Sequence, residues 1–367
     1  MSDKKIKVLV IFRDYLSRNR GTPLRVKSLI EEVGKDTEIS LFTASRDESA
    51  PVEATHLILS TANIKNVLLI GNFIKENNID VVIFHTTAAA HYLVPLLFFR
   101  GKYKRVLEMH GFSEEEGRLY NDSRFFRYQR TKFFYLIIYK LCHLITTCSD
   151  TATEKLLKYN KNTHTIFGGV DPELFHRDTD YNRSDVDDNI IIGYAGNARK
   201  WQGIDFLLQA FSELKKIDNK FSLRLLLSEK VNIPEIEGVS TVSALPHDEV
   251  WRFNAGCDVL VIPRPDNIVN KLSFPSKLME YLASGKPVVA SKTSDIHKII
   301  THGVDGMLHD PGDIEGFIDC FLALKNTDLR AEIGENAAKL AKERYTWEIQ
   351  GKKFAHLIKN TLNSEKY

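Results

Sequence analysis

No run in this chain is apolar for long enough to cross a bilayer. The longest candidates, around AAAHYLVPLLFF and FFYLIIY, fall short of the ~20 residues that a spanning helix needs. Cysteine is scarce: the four in the chain, Cys142, Cys148, Cys257 and Cys320, form neither a CxxC pair nor a zinc-type spacing. They are expected to be reduced and mostly buried thiols of a cytosolic protein. The amino terminus, MSDKKIKVLVIF, passes from charges straight into a strand-like run without a small-residue cleavage site, so no signal peptide is expected. Charge of one sign is not in excess either. Lys plus Arg number 50 against 48 Asp plus Glu, a formal +2, which argues against a general nucleic-acid binder. Several catalytic signatures are absent too. Without GxGxxG a dinucleotide-dependent dehydrogenase loses its main mark, and without HExxH or GxSxG so do metalloproteases and serine hydrolases. The lysine of ASGKP precedes a proline and lacks the upstream glycine of a P-loop. The DTD at Asp178 and Asp180 resembles a metal-binding DxD but lies in a polar, aperiodic stretch and reads as solvated linker.

What is present is a two-part α/β rhythm. A chain of 367 residues exceeds what one core usually organises, and 43% hydrophobic with 27% charged residues is ordinary for a globular protein. Residues 6–12 read as a buried strand. Thr22-Pro23 then opens a helix, with Val26, Leu29, Ile30 and Val33 on one face. EISLF, DVVIFHT, RVLEMHG and HLITTCS are further strands separated by helix-length segments. After a break at 175–189, NIIIGYAG, FSLRLLL, DVLVIP and KPVVAS restart the pattern, with Leu207, Ala210, Phe211 and Leu214 striping a helix. The expectation is two Rossmann-like, doubly wound domains facing a central cleft: residues 1–174, a linker at 175–189, and 190–344. A last helix at 345–367 is expected to pack back on the first domain. Ligands of such sheets sit beyond the carboxyl ends of the strands.

Four segments fall at such ends. In FPSKLMEYLASGKPVVAS a short helix starts near Pro275, and its amino end favours an anion. Lys277 in the first turn suits a bound phosphate, and Glu280 one turn on can accept two hydrogen bonds from a vicinal diol. The bland alternative is a surface Lys-Glu pair. GYAGNARKWQGIDFLL places Gly196, Arg199, Lys200 and Gly203 between strand and helix, where glycines allow close approach and two cations could neutralise a leaving diphosphate; otherwise it is a basic surface turn. RNRGTPLRV sets Gly21 before a helix, with Arg25 in its first turn. EMHGFSEEE sets His110 directly after a strand, although a lone histidine is more often structural.

With these residues in view, the chain resembles the retaining glycosyltransferases of the GT-B fold in the large family-four group, over nearly its whole length. PSKLMEYLASGKPVVAS is similar to that group's donor-site helix and following strand. GYAGNARKWQGIDFLLQAF resembles the loop opening its second domain, HGVDGMLHDPGD a glycine-containing turn near that domain's end, and GGVDPELF the segment closing the first. The resemblance implies that Glu280 holds the ribose hydroxyls, the Ser276-Lys277 tip the diphosphate and His110 the transferred sugar, with the Gly21 turn near the phosphates. Arg199 and Lys200 match the group's cationic pair in kind, but the usual Lys-Gly step reads Gln202-Gly203. A second glutamate that the group often carries is here Leu272.

The implied activity is transfer of a sugar from a nucleoside diphosphate sugar to an acceptor hydroxyl with retention of configuration, in surface glycan or glycolipid synthesis, with no cofactor or metal. The competing readings are a sugar-nucleotide epimerase of similar build and a non-catalytic partner that kept the fold. The acceptor is expected to be a glycan or a lipid-linked molecule. Between 123 and 149 there is no Asp or Glu, while Arg124, Arg127, Arg130, Lys132 and Lys140 interleave with aromatics. That stretch reads first as a basic helix leading into a buried one, and second as a peripheral contact of a cytoplasmic protein with an anionic membrane face.

Overall fold

The computed structural model describes residues 5–18, 21–49, 52–60, 63–97, 102–112, 115, 119, 125–175 and 189–363. The chain divides into two compact units, one made of Met1–Gly168 and Trp347–Tyr367, the other of Gly169–Thr346. In the first unit, strands β1 (Ile6–Ile11), β2 (Ile39–Ser45), β3 (Thr55–Ile58), β4 (Val81–His85), β5 (Lys104–Met109), β6 (Leu144–Thr147) and β7 (Thr163–Thr165) form one sheet. Its order is β3-β2-β1-β4-β5-β6-β7 and all its pairs are parallel. Central strands of such a sheet are covered on both faces, which is why Val8, Leu9, Val10 and Ile11 run without a polar residue and are all buried. The helix Gly21–Gly34 presses Val26, Leu29, Ile30 and Val33 onto this sheet. The final helix, Trp347–Asn363, joins the same core through Phe354, Ala355 and Ile358, and Lys359 bonds Asp36 and Glu38 at its rim.

The second unit has strands β8 (Ile190–Gly196), β9 (Phe221–Leu227), β10 (Val239–Val242), β11 (Val259–Ile262), β12 (Val288–Ser291) and β13 (Met307–His309). They too are all parallel, in the order β10-β9-β8-β11-β12-β13. The helix Ile204–Ile217 buries Leu207, Ala210, Phe211 and Leu214 among Phe221, Phe317 and Phe321. Residues 169–174, which the sequence places in the first domain, belong to this unit. Val170 bridges Thr346, and the Phe175 ring meets the edge of His247. Of the linker, residues 176–188 lie outside the described residues.

All four strands that sequence periodicity leaves unread, β3, β7, β10 and β13, are sheet edges of three or four residues. Edges are short and carry polar residues, as in THT and VSTV, so no apolar run betrays them. The HGVDGMLHDPGD turn thus contains β13. All four cysteines are buried. Among the described residues no helix is long and apolar enough to cross a membrane. The basic stretch forms the helix Phe125–Leu141, which buries Tyr135, Ile138 and Tyr139 and exposes Phe133 and Ile137. Lys132 and Lys140 are exposed; Arg124 and the side chains of Arg127 and Arg130 lie outside the described residues.

Candidate functional site

In the second unit the helix Lys277–Ala283 is held by its buried face, Leu278, Met279, Tyr281 and Leu282. The Tyr281 hydroxyl accepts the Ala195 amide at 2.7 Å, which ties the helix to the end of β8. With that face anchored, Lys277 and Glu280 share the other side. They do not pair with each other. Lys277 Nζ lies 4.0 Å from the Tyr194 ring centroid and donates to Gln202 Oε1 at 3.2 Å. Glu280 Oε1 instead takes His247 Nε2 at 2.8 Å, and Glu280 Oε2 has no partner among the described residues. Burial pushes the Lys277 ammonium well below its usual value, and the neighbouring Arg264 charge pushes the same way. Lys277 has no carboxylate within ion-pair distance among the described residues. Two cations brought together without an acid to satisfy Lys277 form a place for an anion.

The surroundings fix these positions. Gly196, at the end of β8, has φ +151°, and a Cβ there would stand 2.5 Å from Lys277 Nζ. Only glycine leaves that space open. Gly203, at φ +81°, lets the 197–203 loop lie against β11: a Cβ would overlap the Pro263 carbonyl oxygen and come within 2.8 Å of its carbon. The buried Asn270 amide donates to both Trp201 O (2.9 Å) and Pro265 O (2.8 Å), joining that loop to the Arg264 loop. Ser291 Oγ, ending β12, donates to Arg264 O at 2.6 Å.

Of the residues marked from sequence, the structure brings Gly196, Lys277 and Glu280 together. Ser276 precedes the helix exposed, and its hydroxyl does not cap it. Arg199 and Lys200 are exposed, and Arg199 lies over the Trp201 ring (5.1 Å). The loop reaches Lys277 through Gln202 instead, and the second cation is Arg264, which followed a strand as an unremarkable loop residue. His247 was unmarked too, since nothing local links it to a residue 33 positions away. Leu272 is buried and adds to the core where the resembling group often has a carboxylate. His247 is held above its usual value: burial lowers it, but the Glu280 hydrogen bond and charge and the nearby Asp248 outweigh that.

In the first unit, Gly21 opens its helix at φ +53°, and its neighbours 19 and 20 lie outside the described residues. Arg25 does not face an anion. It turns inward, and its Nε and Nη2 donate to Glu108 Oε1 at 3.2 and 3.0 Å. Glu108, fully buried near the end of β5, also meets His85 Nδ1 at 3.1 Å and His110 Nε2, both through Oε2. Burial alone would raise the Glu108 carboxyl, but His110 and Arg25 beside it hold it well below the usual carboxylate range. Burial holds His110 below the usual imidazole value, although Glu108 opposes it. Ligand atoms of His85, Glu108 and His110 lie within 4.8 Å of one another, as a metal would require. The Arg25 guanidinium on the same carboxylate opposes a second cation there.

Parallel seven- and six-stranded sheets with these sites at their strand ends define a GT-B glycosyltransferase fold. Solved structures with the same fold include sucrose-phosphate synthase from Thermosynechococcus elongatus, at TM-score 0.80 and 14% identity over 98% of this chain and 100% of that one. Another is HepE of Anabaena in complex with UDP-glucose, at TM-score 0.72 and 15% identity over 98% and 100%. The family follows from two family models: Glycosyltransferase Family 4 matches residues 25–174, and Glycosyl transferases group 1 matches 189–326. The chain belongs to this family and is a glycosyltransferase. It is 25% identical to an uncharacterized glycosyltransferase of Methanocaldococcus jannaschii over 89% of this chain and 91% of that protein. It is also 25% identical to N-acetyl-alpha-D-glucosaminyl L-malate synthase of Bacillus anthracis, over 58% of each. A third relative is a lipopolysaccharide 1,2-N-acetylglucosaminetransferase of Salmonella typhimurium, 27% identical over 48% of this chain and 49% of that one.

Proposed function

We propose that this protein transfers a sugar from a nucleoside diphosphate sugar to an acceptor hydroxyl, with retention of configuration and without a metal, in glycan or glycolipid synthesis. The observation that carries the reading is Lys277: a desolvated ammonium beside Arg264, without a carboxylate partner among the described residues, one helical turn from Glu280, whose Oε2 has no partner among them either. A diphosphate satisfies Lys277 in the field of the Arg264 charge, and the ribose hydroxyls satisfy Glu280 Oε2.

As the anomeric bond breaks, positive charge develops on the sugar and negative charge on the leaving diphosphate. Lys277 and Arg264 stabilise the latter from fixed positions, which is the work a metal does elsewhere. The exposed Arg199 and Lys200, in the loop whose Gln202 meets Lys277, add to that field. The departing phosphate oxygen takes the acceptor's proton on the face it leaves, so no residue is assigned as nucleophile. His110 contacts a hydroxyl of the transferred sugar. UDP is the first nucleotide to try, because HepE has been crystallised with it.

The test is a thermal-shift titration of wild type and Glu280→Ala against UDP, GDP, ADP and CMP, with and without magnesium. One nucleotide should raise Tm of the wild type without metal and much less that of the variant. No shift with any nucleotide would overturn the reading. Nucleotide release that does not depend on an acceptor would turn it toward an epimerase.

A further inference from the structure

The buried cluster of the first unit contains more than a histidine near a sugar. His85 and Glu108 are register partners on β4 and β5. Arg25 donates to Glu108 Oε1 and to the Ile166 carbonyl (2.6 Å), so one oxygen of the carboxylate is taken by a permanent cation. The other oxygen, Oε2, receives both His85 Nδ1 and His110 Nε2. Side-chain exposure is 5% for Arg25 and 0% for both Glu108 and His85, whereas His110 keeps 12%. The group is therefore a chain of contacts leading from the protein interior to one partly accessible ring.

Its chemistry fixes where the protons sit. Arg25 and ionised Glu108 cancel in charge, and burial holds the His110 imidazole below its usual value, so that ring is accommodated as neutral. A neutral imidazole has one N–H and one bare nitrogen, and an ionised carboxylate only accepts. The ring nitrogens that face Glu108 Oε2 must therefore donate, and a neutral His110 spends its single N–H there. His85 Nε2 is buried and has no hydrogen-bond partner among the described residues. For His110 the donation leaves Nδ1 bare on the accessible ring, without a partner among the described residues.

We propose that Glu108, locked by Arg25, is a positioning residue that sets the tautomer of His110, so that the ring presents Nδ1 as an acceptor for a hydroxyl of the transferred sugar. The hydroxyl part of this inference rests on the function proposed above; the tautomer part does not. Arg25 is then a positioning residue as well, because it decides which oxygen of Glu108 is left for the imidazoles.

The decisive variant is Glu108→Gln. Arg25 can only donate, so it keeps the amide oxygen, and the amide NH2 turns toward both histidines. Each ring must then accept through the nitrogen that formerly donated, and His110 moves its proton to Nδ1. The group offered to the sugar changes from acceptor to donor with hardly any change in volume.

The experiment is nitrogen NMR of the imidazoles in the full chain near neutral pH, with His110→Ala used to assign the signal. Wild type should show an unprotonated Nδ1 and a protonated Nε2 on His110, and Glu108→Gln should invert the pair. A wild-type ring protonated on Nδ1, or an unchanged pattern in the variant, would overturn the inference. The wild-type spectrum decides even if the variant does not fold. Consumption of UDP-glucose is the second readout. Glu108→Gln should lower kcat/KM by roughly 10- to 100-fold, and should cost nothing further once His110 is alanine. An equal loss in both backgrounds would make Glu108 merely structural. Failure of every nucleotide to stabilise the protein would count against the proposed function alone, since the spectrum is read without substrate.

Discussion

Replacing Gly203 by alanine tests how tightly the loop beside Lys277 depends on one backbone contact. Gly203 has φ +81°, so any side chain there first incurs the left-handed penalty of about 1 to 2 kcal/mol. The added Cβ would also overlap the Pro263 oxygen and lie 2.8 Å from its carbon and 3.2 Å from Pro265 Cδ. Pro263 directly follows β11, a central strand, so it can yield only by moving the sheet end; such overpacking costs about 1 to 3 kcal/mol. Together the two effects predict about 2 to 5 kcal/mol, a fall in Tm on the order of 5 to 15 °C for a unit of this size. Gly21→Ala is the internal control, since it has φ +53° but no atom of the described residues within 4 Å of the new Cβ, and should lose only the backbone part. Calorimetric unfolding of both variants measures the difference. Nucleotide thermal shifts then show whether Gln202 still meets Lys277. If Gly203→Ala melts no lower than Gly21→Ala, the close approach of loop to strand is not what holds that loop.

Two further outcomes follow from the same site. Tyr281→Phe strips the Ala195 amide of its acceptor inside the core and should destabilise the protein by about 1 to 3 kcal/mol, seen in urea denaturation, with weaker nucleotide binding as the helix loosens. His247 is held above its ordinary value by Glu280, so its pair with Glu280 stabilises fully below the unfolded value near pH 6.5 and is lost as pH rises through the folded value. Because the pair is partly exposed, the contribution is under about 1 kcal/mol. His247→Gln should flatten the fall in Tm on the alkaline side of that range, and an unchanged slope would remove the pair from the account.

Much of this protein was legible in the order of its residues. Val26, Leu29, Ile30 and Val33 repeat at helical spacing, and Val8 to Ile11 run apolar, because burial against a sheet imposes a period on the chain itself. The same holds for Lys277 and Glu280, whose separation by one turn needs only a helix to become a common side. The resemblance carried by those segments pointed to the family that the two family models then matched.

Other features have no local signature. The edge strands β3, β7, β10 and β13 are too short to show a period, β7 and β10 are polar besides, and a neighbouring strand's hydrogen bonds hold them. Arg25 looked like a cation at a helix tip, yet Glu108, 83 residues later, draws it inward. Arg264, in the loop after β11, acts on Lys277 across 13 positions, a relation no local pattern marks. His247 claims one oxygen of Glu280 across 33 positions. Periodicity is a property of each segment and can be read from it. Which cation, carboxylate or imidazole faces which depends on sheet order and loop return, and tertiary structure alone decides that.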